Sequence, residues 1–374
     1  MSLDRSKNVV GSVTELIGNT PLVRLGSSLR EVPSGVWLRD RGFGSESFSL
    51  KSELFAKIES LNPGGSVKDR IALKIIDGAE KSGRLKPGGL IIEATSGNTG
   101  AGLAMVAATR GYKCVFVMPD KMSAEKVNAL RAYGAKVVVS PMVEPHDPSY
   151  YVNFAKRLAA ETPGAFLANQ FFNPDNPLAH FETTGPEIWD QMETRIDAFF
   201  AGMGTGGTFT GTSRFLKQKS STIKTIGVDP VGSIYHGLVT SKKAGPVGSY
   251  LVEGVGEDMV PGTIDLSLAD DCVFVNDQEA MSATQMLARS EGLLVGGSCG
   301  MAFFGAVQYL AWHEGRGGRP LRAVVILPDS GSRYLSKVFN DPWLRKQNVD
   351  PVWGSSRNPG SVEYLPNARL IEGV

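Results

Sequence analysis

Short apolar runs alternate along the chain with longer segments whose apolar residues recur at the period of a helix; Ile71, Ile75 and Ile76, for example, share one face. The apolar runs predict strands at Phe55–Glu59, Leu90–Ala94, Lys113–Met118, Lys136–Ser140, Ala198–Ala201, Lys224–Val228, Cys272–Val275 and Ala323–Leu327. The segments between them predict helices near Ser66–Gly83, Thr99–Arg110, Ala124–Tyr133, Asp147–Glu161, Pro177–Met192, Thr208–Lys219, Asp277–Ser290 and Met301–His313. This alternation is typical of βαβ units, so we expect an α/β fold with mainly parallel sheets flanked by helices.

The length of 374 residues is suited to two domains, or to one large α/β unit with a subdomain, since a domain takes about 150 residues. A boundary is predicted near Pro141–Pro148, where prolines accumulate. The polar stretch from Leu344 to Val374 has no clear period, and we expect a tail there.

Composition favours chemistry on small molecules. Lys and Arg number 39 against 38 Asp and Glu, so the net charge of +1 creates no field for nucleic acid or an anionic membrane. The three cysteines are far apart and form no C-x-x-C pair, so we expect no metal site. There is no apolar leader and no run long enough to span a bilayer, and we expect a cytoplasmic protein.

Lys68 lies in the motif Asn62–Arg70, behind two glycines and at the start of a predicted helix. Ser66 and Asp69 have the spacing of a capping box, which predicts that the helix begins near Ser66. The positive end of the helix dipole would then favour the neutral amine of Lys68, as a Schiff-base nucleophile requires. A lysine that only follows a helix cap is the alternative.

Glycine-rich turns follow several predicted strands, where α/β proteins present ligand-binding groups. Thr95–Gly100 offers hydroxyls and helix N-terminal amides suited to a carboxylate, although a capped helix start would look the same. Gly202–Thr208 offers amides and two threonine hydroxyls suited to a phosphate dianion. Gly292–Gly300 and Leu327–Ser332 either bind a ligand or are plain connections.

The Gly202–Thr208 loop also fits the G-x-G-x-x-G pattern of NAD-binding folds, with Asp229 placed as the ribose acid. Its position in the middle of the chain counts against an NAD-dependent dehydrogenase. That interpretation also leaves Lys68 and Thr95–Gly100 without a role.

Four motifs carry a resemblance to a known family. In chain order they are NPGGSVKDR around Lys68, TSGNTG from Thr95, GMGTGGT from Gly202 and GGSCG from Gly296. Together they resemble the fold type II pyridoxal-phosphate enzymes, and within them the cysteine synthase and cystathionine β-synthase branch. The resemblance runs from about residue 13 to residue 344.

The resemblance implies a role for each matching residue. Lys68 would be the catalytic lysine that binds pyridoxal 5'-phosphate, Asn98 would bond the ring hydroxyl, and Ser298 would meet the ring nitrogen. A neutral serine there favours prompt β-elimination over a long-lived carbanion. The phosphate would be held by Gly204, Thr205, Gly206, Gly207 and Thr208. The substrate carboxylate would be bound by Thr95, Ser96, Thr99 and Gln170.

The implied reaction is β-replacement on serine or an O-activated serine by a thiol. Homocysteine as the thiol would give cystathionine; the runner-up is a cysteine synthase that uses sulfide with O-acetylserine or O-phosphoserine. A serine/threonine dehydratase and a non-catalytic scaffold are more remote alternatives. The resemblance also implies a homodimer.

The family pattern further implies two domains. Residues 55–140 would form a smaller mobile domain that carries the substrate loop. Residues 1–54 and 141–344 would form the larger, cofactor-binding domain.

Three departures limit the resemblance. Glu257 stands where animal and yeast synthases have tyrosine, which leaves the thiol substrate open. No Cys or His precedes Cys114, so we expect no haem. The 345–374 tail is too short for a regulatory domain. Separately, Arg30–Ser49 is a candidate flap or dimer contact, or a plain exposed loop.

Overall fold

A computed structural model describes residues 9–26, 50–95, 97–120, 122, 124–141, 143–144 and 146–350. Three features discussed above lie outside these residues: Ser96, the whole of the Arg30–Ser49 segment, and the tail beyond residue 350.

The strands of the described residues are numbered in chain order. They are β1 (Leu22–Arg24), β2 (Glu53–Ile58), β3 (Leu90–Ala94), β4 (Lys113–Pro119), β5 (Lys136–Ser140), β6 (Ala165–Leu167), β7 (Ala198–Gly202), β8 (Lys224–Pro230), β9 (Asp271–Val275) and β10 (Arg322–Leu327).

The α-helices are numbered in the same way. They are α1 (Lys68–Lys81), α2 (Asn98–Arg110), α3 (Ala124–Ala132), α4 (Tyr151–Glu161), α5 (Asp175–Ala179), α6 (Gly185–Gln191), α7 (Gly207–Lys219), α8 (Tyr235–Thr240), α9 (Asp277–Glu291), α10 (Gly297–Gly315) and α11 (Asp341–Lys346). None of the helices in the described ranges is both long and apolar enough to cross a lipid bilayer.

The strands form two sheets, and the predicted α/β fold with mainly parallel sheets is confirmed. A six-stranded sheet has the order β1-β2-β10-β7-β8-β9, and a four-stranded sheet has the order β5-β4-β3-β6. Only β1 pairs antiparallel, with Leu22 opposite Lys57; every other pairing in the described strands is parallel. The carboxyl ends of parallel strands share one edge of a sheet, so the loops after them converge.

The smaller sheet does not coincide with residues 55–140, the range predicted for the smaller domain. Strand β2 pairs with β10 in the six-stranded sheet. Strand β6, beyond the predicted boundary, pairs with β3 in the four-stranded sheet. Helix α4 packs on the same small sheet. Strand β6 has only three residues, and a run this short shows no period from which a strand could be predicted.

Helix α1 packs on helix α2 through its apolar face. Ile71, Ile75 and Ile76 are fully buried there, and each buried side chain of this size contributes about 1.5–3 kcal/mol. Helix α10 is buried around most of its circumference against α9 and the large sheet, which explains its high apolar content. These contacts fix the N-termini of α1, α2 and α10, where candidate site residues lie.

The helix predicted over Pro177–Met192 is present from Asp175 to Gln191, but its middle turn is π-helical. Helix α5 is followed by a π-helical turn at His180–Thr184, and α6 begins at Gly185. π-Helical insertions are frequent at functional sites. Here the turn contains His180, whose ring reaches toward the loop before α7.

Candidate active site

One cavity of about 780 Å³ collects most of the predicted site residues. It is lined by residues at the carboxyl ends of strands of both sheets, including Pro119, the last residue of β4, and Pro328, directly after β10. The lining also contains most of the predicted site residues: Lys68, Asn98, Thr99, Gln170, Gly204, Thr205, Gly206, Thr208, Glu257 and Ser298. Thr95 and Gly207 are not among the described lining residues.

Lys68 is the first residue of α1, and its side chain faces the cavity. Burial lowers the pKa of its ammonium group, and the carboxylates of Asp329 and Glu257 oppose that shift. Burial therefore adds to the helix-dipole effect predicted from the sequence, and both favour the neutral, nucleophilic amine.

The predicted capping box at Ser66 and Asp69 is wrong. Helix α1 begins at Lys68, and its N-cap residue Val67 offers no side-chain cap. Asp69 Oδ2 instead accepts a hydrogen bond from the Gly64 amide over 2.6 Å. The carboxylate thus closes the turn between the two glycines and the helix, and this turn places Lys68.

A buried ion network anchors α1 behind Lys68. Arg70 bonds Glu59 over 2.7 Å and Glu187 over 2.7 Å, and Lys57 bonds Glu187 over 2.8 Å. Burial opposes ionisation of Glu59, but the Arg70 guanidinium overcomes it and lowers the pKa of that carboxyl to about 2. Removing one partner would strand a buried charge at a cost of about 3–5 kcal/mol.

The loop between β7 and α7 presents its amides to the cavity. Among the described residues, no hydrogen bond is donated by the backbone amides of Gly204 through Thr208. Thr205 and Thr208 add hydroxyls at the cavity wall. Free amides at a helix N-terminus with neighbouring hydroxyls are suited to a phosphate dianion.

Close packing explains the glycines of this loop. A Cβ at Gly207 would lie 1.8 Å from Asn176 Oδ1, and one at Gly204 would lie 2.6 Å from the Gly254 carbonyl oxygen. Gly206 has φ 83°, which disfavours any side chain. Asn176 Nδ2 in turn donates to Thr205 Oγ1 over 3.0 Å. The absence of a side chain at Gly207 therefore makes room for Asn176, while the Gly207 amide belongs to the undonated amides of the loop.

His180 supports the same loop from behind. Its Nε2 lies 3.1 Å from Thr208 Oγ1 and its Nδ1 lies 2.9 Å from Thr184 Oγ1. Burial, reinforced by the Arg70 charge, lowers the pKa of His180 to about 3. The imidazole is therefore neutral near neutral pH and can pair with a hydroxyl. Sequence reasoning gave His180 no role, because its partner Thr208 is 28 residues away.

We expect His180 to make stability pH-dependent. Above pH 6.5, the pKa of the unfolded chain, His180 is neutral in both states and the full stability is present. As the pH falls below 6.5 toward the folded pKa of about 3, the unfolded chain binds a proton that the folded protein does not, so stability is lost. The free energy of unfolding of the wild type should fall by about 2 kcal/mol relative to His180→Asn between about pH 7 and pH 5. Denaturant unfolding of both proteins at the two pH values measures this difference. A difference that stays constant with pH would refute the assignment.

The predicted substrate loop is held together by its own hydroxyls. Thr95 is buried, and its Oγ1 accepts from the amides of Gly97 over 3.0 Å and Gly100 over 3.1 Å. Thr99 Oγ1 donates to Gln170 Oε1 over 2.6 Å. Thr99 and Gln170 thus reach the cavity wall as a bonded pair. The structure gives Thr95 a role in shaping the turn, and its contact with substrate stays a prediction.

Ser298 is the second residue of α10 and lines the cavity with 5% of its surface exposed. The neighbouring Cys299 is fully buried, and burial raises the pKa of its thiol well above the ordinary value. The serine hydroxyl, not the cysteine, is therefore the polar group that α10 presents to the cavity.

Asp329 is a site residue to which sequence reasoning gave no role. It follows β10, is fully buried, and its Oδ2 accepts from Asn98 Nδ2 over 2.7 Å. The signal available in the sequence was an acidic residue directly after a buried strand, in the Leu327–Ser332 turn. Asn98 lies 231 residues away, so the pairing itself was not visible.

Glu257 lines the cavity beside three tyrosines, Tyr150, Tyr151 and Tyr250. Its amide donates to Ser233 Oγ over 3.0 Å, which fixes the backbone. Burial and then the Glu257 carboxylate raise the pKa of Tyr151 and Tyr250 well above the ordinary value. The phenols therefore stay protonated beside a carboxylate.

Asp229, the candidate ribose acid, is not among the described cavity residues. Its Oδ2 accepts from the His236 amide over 2.8 Å, at the start of α8. Burial raises the pKa of this carboxyl to about 7. Asp229 thus holds the first turn of α8 and does not line the cavity as the ribose acid of an NAD site would.

Comparison with known proteins decides between the two predicted ligands. The profile of the family described as pyridoxal-phosphate dependent enzyme matches residues 13–329. The chain belongs to this family. Pyridoxal 5'-phosphate is accordingly its cofactor, as the sequence motifs predicted, and the NAD alternative is set aside.

Individual relatives agree. The chain is 43% identical to cystathionine β-synthase of Apis mellifera over 95% of its own length and 67% of the relative's. It is 43% identical to that of Oryctolagus cuniculus over 92% of its length but only 59% of the relative's. The crystal structure of an O-acetylserine dependent cystathionine β-synthase from Helicobacter pylori matches with a TM-score of 0.76 and 38% identity, covering 88% of this chain and 98% of that one. The predicted resemblance to this branch is confirmed.

The donor set of the cavity fits this cofactor. Amides and hydroxyls at Gly204–Thr208 suit its phosphate, the Lys68 amine suits its aldehyde, and the Ser298 hydroxyl suits a ring nitrogen. No group of three or more His, Cys, Asp or Glu side chains suited to a metal ion occurs in the described ranges.

Proposed function

We propose that the protein catalyses β-replacement on serine, or an O-activated serine, by a thiol, and that the thiol is homocysteine and the product cystathionine. The observation that carries the proposal is one cavity lined by the Lys68 amine, the Gly204–Thr208 amides and the neutral Ser298 hydroxyl. The similarity to cystathionine β-synthases supports the choice of homocysteine.

When bound, pyridoxal phosphate supplies the electron sink that makes the Cα–H bond of an amino acid acidic. Lys68 then serves as the base: its neutral amine removes the Cα proton and later returns one. Burial lowers the pKa of the amine, which raises the fraction of the neutral form that this role requires.

Other side chains orient the reacting groups. The amides of Gly204–Thr208 hold the phosphate, and Ser298 pairs with the ring nitrogen without charging it. Thr99 and Gln170 face the substrate carboxylate, with Ser96 assigned to it by the motif alone. A loop that encloses the substrate would exclude water and so protect the activated substrate from hydrolysis.

The leaving group of the donor is the finer choice. The Helicobacter pylori relative is named for its use of O-acetylserine, and that chain is covered almost completely here. An O-activated serine that supplies a better leaving group than hydroxide is therefore a donor to test beside serine. Cysteine synthesis from O-acetylserine or O-phosphoserine with sulfide is the second candidate. It is kept because Glu257 stands where animal and yeast synthases have tyrosine, so the part of the site that receives the thiol differs from theirs.

The test is a matrix of substrates. Serine, O-acetylserine and O-phosphoserine are each offered with homocysteine or sulfide, and the products are identified by mass. Cystathionine as the main product supports the proposal, whereas cysteine alone favours the second candidate. Pyruvate alone would indicate a dehydratase and contradict both.

We expect Glu257 to influence the choice of thiol. A carboxylate at the cavity wall repels the hydrosulfide anion but tolerates zwitterionic homocysteine. Glu257→Gln should therefore raise the kcat/KM for sulfide several-fold relative to homocysteine. Glu161→Gln makes the same change at the exposed end of α4, outside the cavity lining, and should leave the ratio unchanged. An unchanged ratio in Glu257→Gln would contradict this role.

We also propose that the protein works as a cytoplasmic homodimer on small substrates, without nucleic-acid or membrane partners. A charge of +1 offers no field for either of those partners. Sedimentation of the holoenzyme measures the assembly, and a monomer would contradict it.

A further inference from the structure

The side-chain amide of Asn98 is held at both ends. Nδ2 donates to Asp329 Oδ2 over 2.7 Å, and Arg333 Nη1 donates to Asn98 Oδ1 over 2.7 Å. Asn98 is also the first residue of α2, and it lines the cavity with Lys68. A carboxylate and a guanidinium therefore hydrogen-bond to opposite ends of one amide.

Asp329 is itself fixed. The same Oδ2 accepts from the Tyr334 hydroxyl over 2.6 Å, and the residue is fully buried. A Cβ at Gly296 would lie 2.2 Å from Asp329 Oδ1, so the start of α10 packs directly on the carboxylate. The Asp329 backbone bridges to Ser66, next to the Lys68 turn. Asp329 thus contacts the loops that carry Lys68, Asn98 and Ser298.

These two hydrogen bonds fix which end of the amide carries the NH₂ group and which carries the oxygen. If Asn98 were flipped, its carbonyl oxygen would face the Asp329 carboxylate and its NH₂ would face the Arg333 guanidinium, which loses two charge-assisted bonds. With the observed polarity, one N–H of Nδ2 serves Asp329 and the other remains for a group in the cavity.

We propose that Asp329 and Arg333 are positioning residues that lock Asn98 as a hydrogen-bond donor toward the ring oxygen of pyridoxal phosphate. An anionic ring oxygen needs a donor and is repelled by a carbonyl, so the locked polarity matches the cofactor. The proposal rests on the role assigned to Asn98 under the proposed function. It assigns a function to two residues that lie outside the four motifs carrying the family resemblance.

Asp329 also acts on Lys68 through space. Its carboxylate is the strongest of the charges that oppose the burial-driven lowering of the Lys68 pKa. Asp329 therefore orients the donor and keeps a negative charge near the catalytic amine, which ties two cofactor-facing groups to one buried side chain.

The test measures cofactor binding, with no substrate present. Apoenzyme is titrated with pyridoxal phosphate, and the dissociation constant and visible absorption maximum are recorded for wild type, Asn98→Ala, Asp329→Ala and the double variant. We expect each single variant to bind about tenfold more weakly, which corresponds to about 1.4 kcal/mol. The double variant should bind much less than a hundredfold more weakly than the wild type, because Asp329 acts mainly through Asn98 and only in part through its charge near Lys68. Multiplied effects, or wild-type binding by Asp329→Ala, would overturn the proposal.

Further variants control for misfolding and for nonspecific effects of substitution. Thermal melting of each apoenzyme reports whether Asp329→Ala folds; if it does not, Arg333→Met with Asn98→Ala forms the same cycle from the other end of the amide. Ser332→Ala alters an exposed neighbour of Arg333 and should bind as the wild type does. No turnover is measured, so the comparison holds even if the substrate assignment is wrong. Additive effects in both cycles would refute this proposal and leave the proposed function untouched.

Discussion

Replacing Lys68 by alanine should reduce β-replacement by roughly 10³-fold, because the variant loses the base that moves the Cα proton. The same variant should lose the absorbance that borohydride bleaches when it fixes the cofactor to Lys68. Thermal stability should change little, since the Lys68 amine makes no ion pair in the described structure and Arg70 still anchors α1. Steady-state rates and mass analysis of the borohydride-reduced protein measure both effects.

A matched control lies on the same helix. Lys81 is an exposed lysine in the last turn of α1, so Lys81→Ala removes the same group without reaching the cavity. It should keep its activity and its cofactor. Full activity in Lys68→Ala, or equal losses in the two variants, would refute the catalytic role of Lys68.

Replacing Gly207 by alanine should weaken cofactor binding by at least about tenfold and cost about 1–3 kcal/mol of stability. The added Cβ would lie 1.8 Å from Asn176 Oδ1, so Asn176 must move. Asn176 also bonds the Gln170 carbonyl over 2.8 Å and Thr205 Oγ1 over 3.0 Å. Its displacement would therefore disturb the phosphate loop and the substrate-facing glutamine together.

The control is Gly26→Ala, because a Cβ at Gly26 would meet no heavy atom within 4 Å. That variant should melt and bind pyridoxal phosphate as the wild type does. Spectroscopic titration of each apoenzyme measures the dissociation constant. Wild-type affinity in Gly207→Ala would show that close packing at Asn176 does not shape the loop.

Local patterns were enough to predict the alternation of strands and helices and the loops that follow them. Lys68 was predicted at a helix start, and it is the first residue of α1, although the reason differs in part. The Asp69 carboxylate closes the Gly64 turn instead of capping the helix, because it accepts its hydrogen bond from the Gly64 amide. The pattern was right about position and wrong about the contact.

Contacts between distant segments were beyond the reach of local patterns. Asp329 and Asn98 meet only because β10 and β3 end at the same cavity, and His180 faces Thr208 because a π-helical turn interrupts a predicted helix. The short strand β6, which pairs with β3 in the smaller sheet, was missed. These features follow from tertiary packing and not from periodicity.

The most direct test of the central claim is turnover of an O-activated serine and homocysteine in D₂O, with the product analysed by mass spectrometry. If Lys68 removes and returns the Cα proton on the way to β-replacement, cystathionine should carry deuterium at the Cα that came from the serine donor, and Lys68→Ala should form it roughly 10³-fold more slowly. Cystathionine without deuterium at that carbon, or formed equally well by Lys68→Ala, would contradict the account.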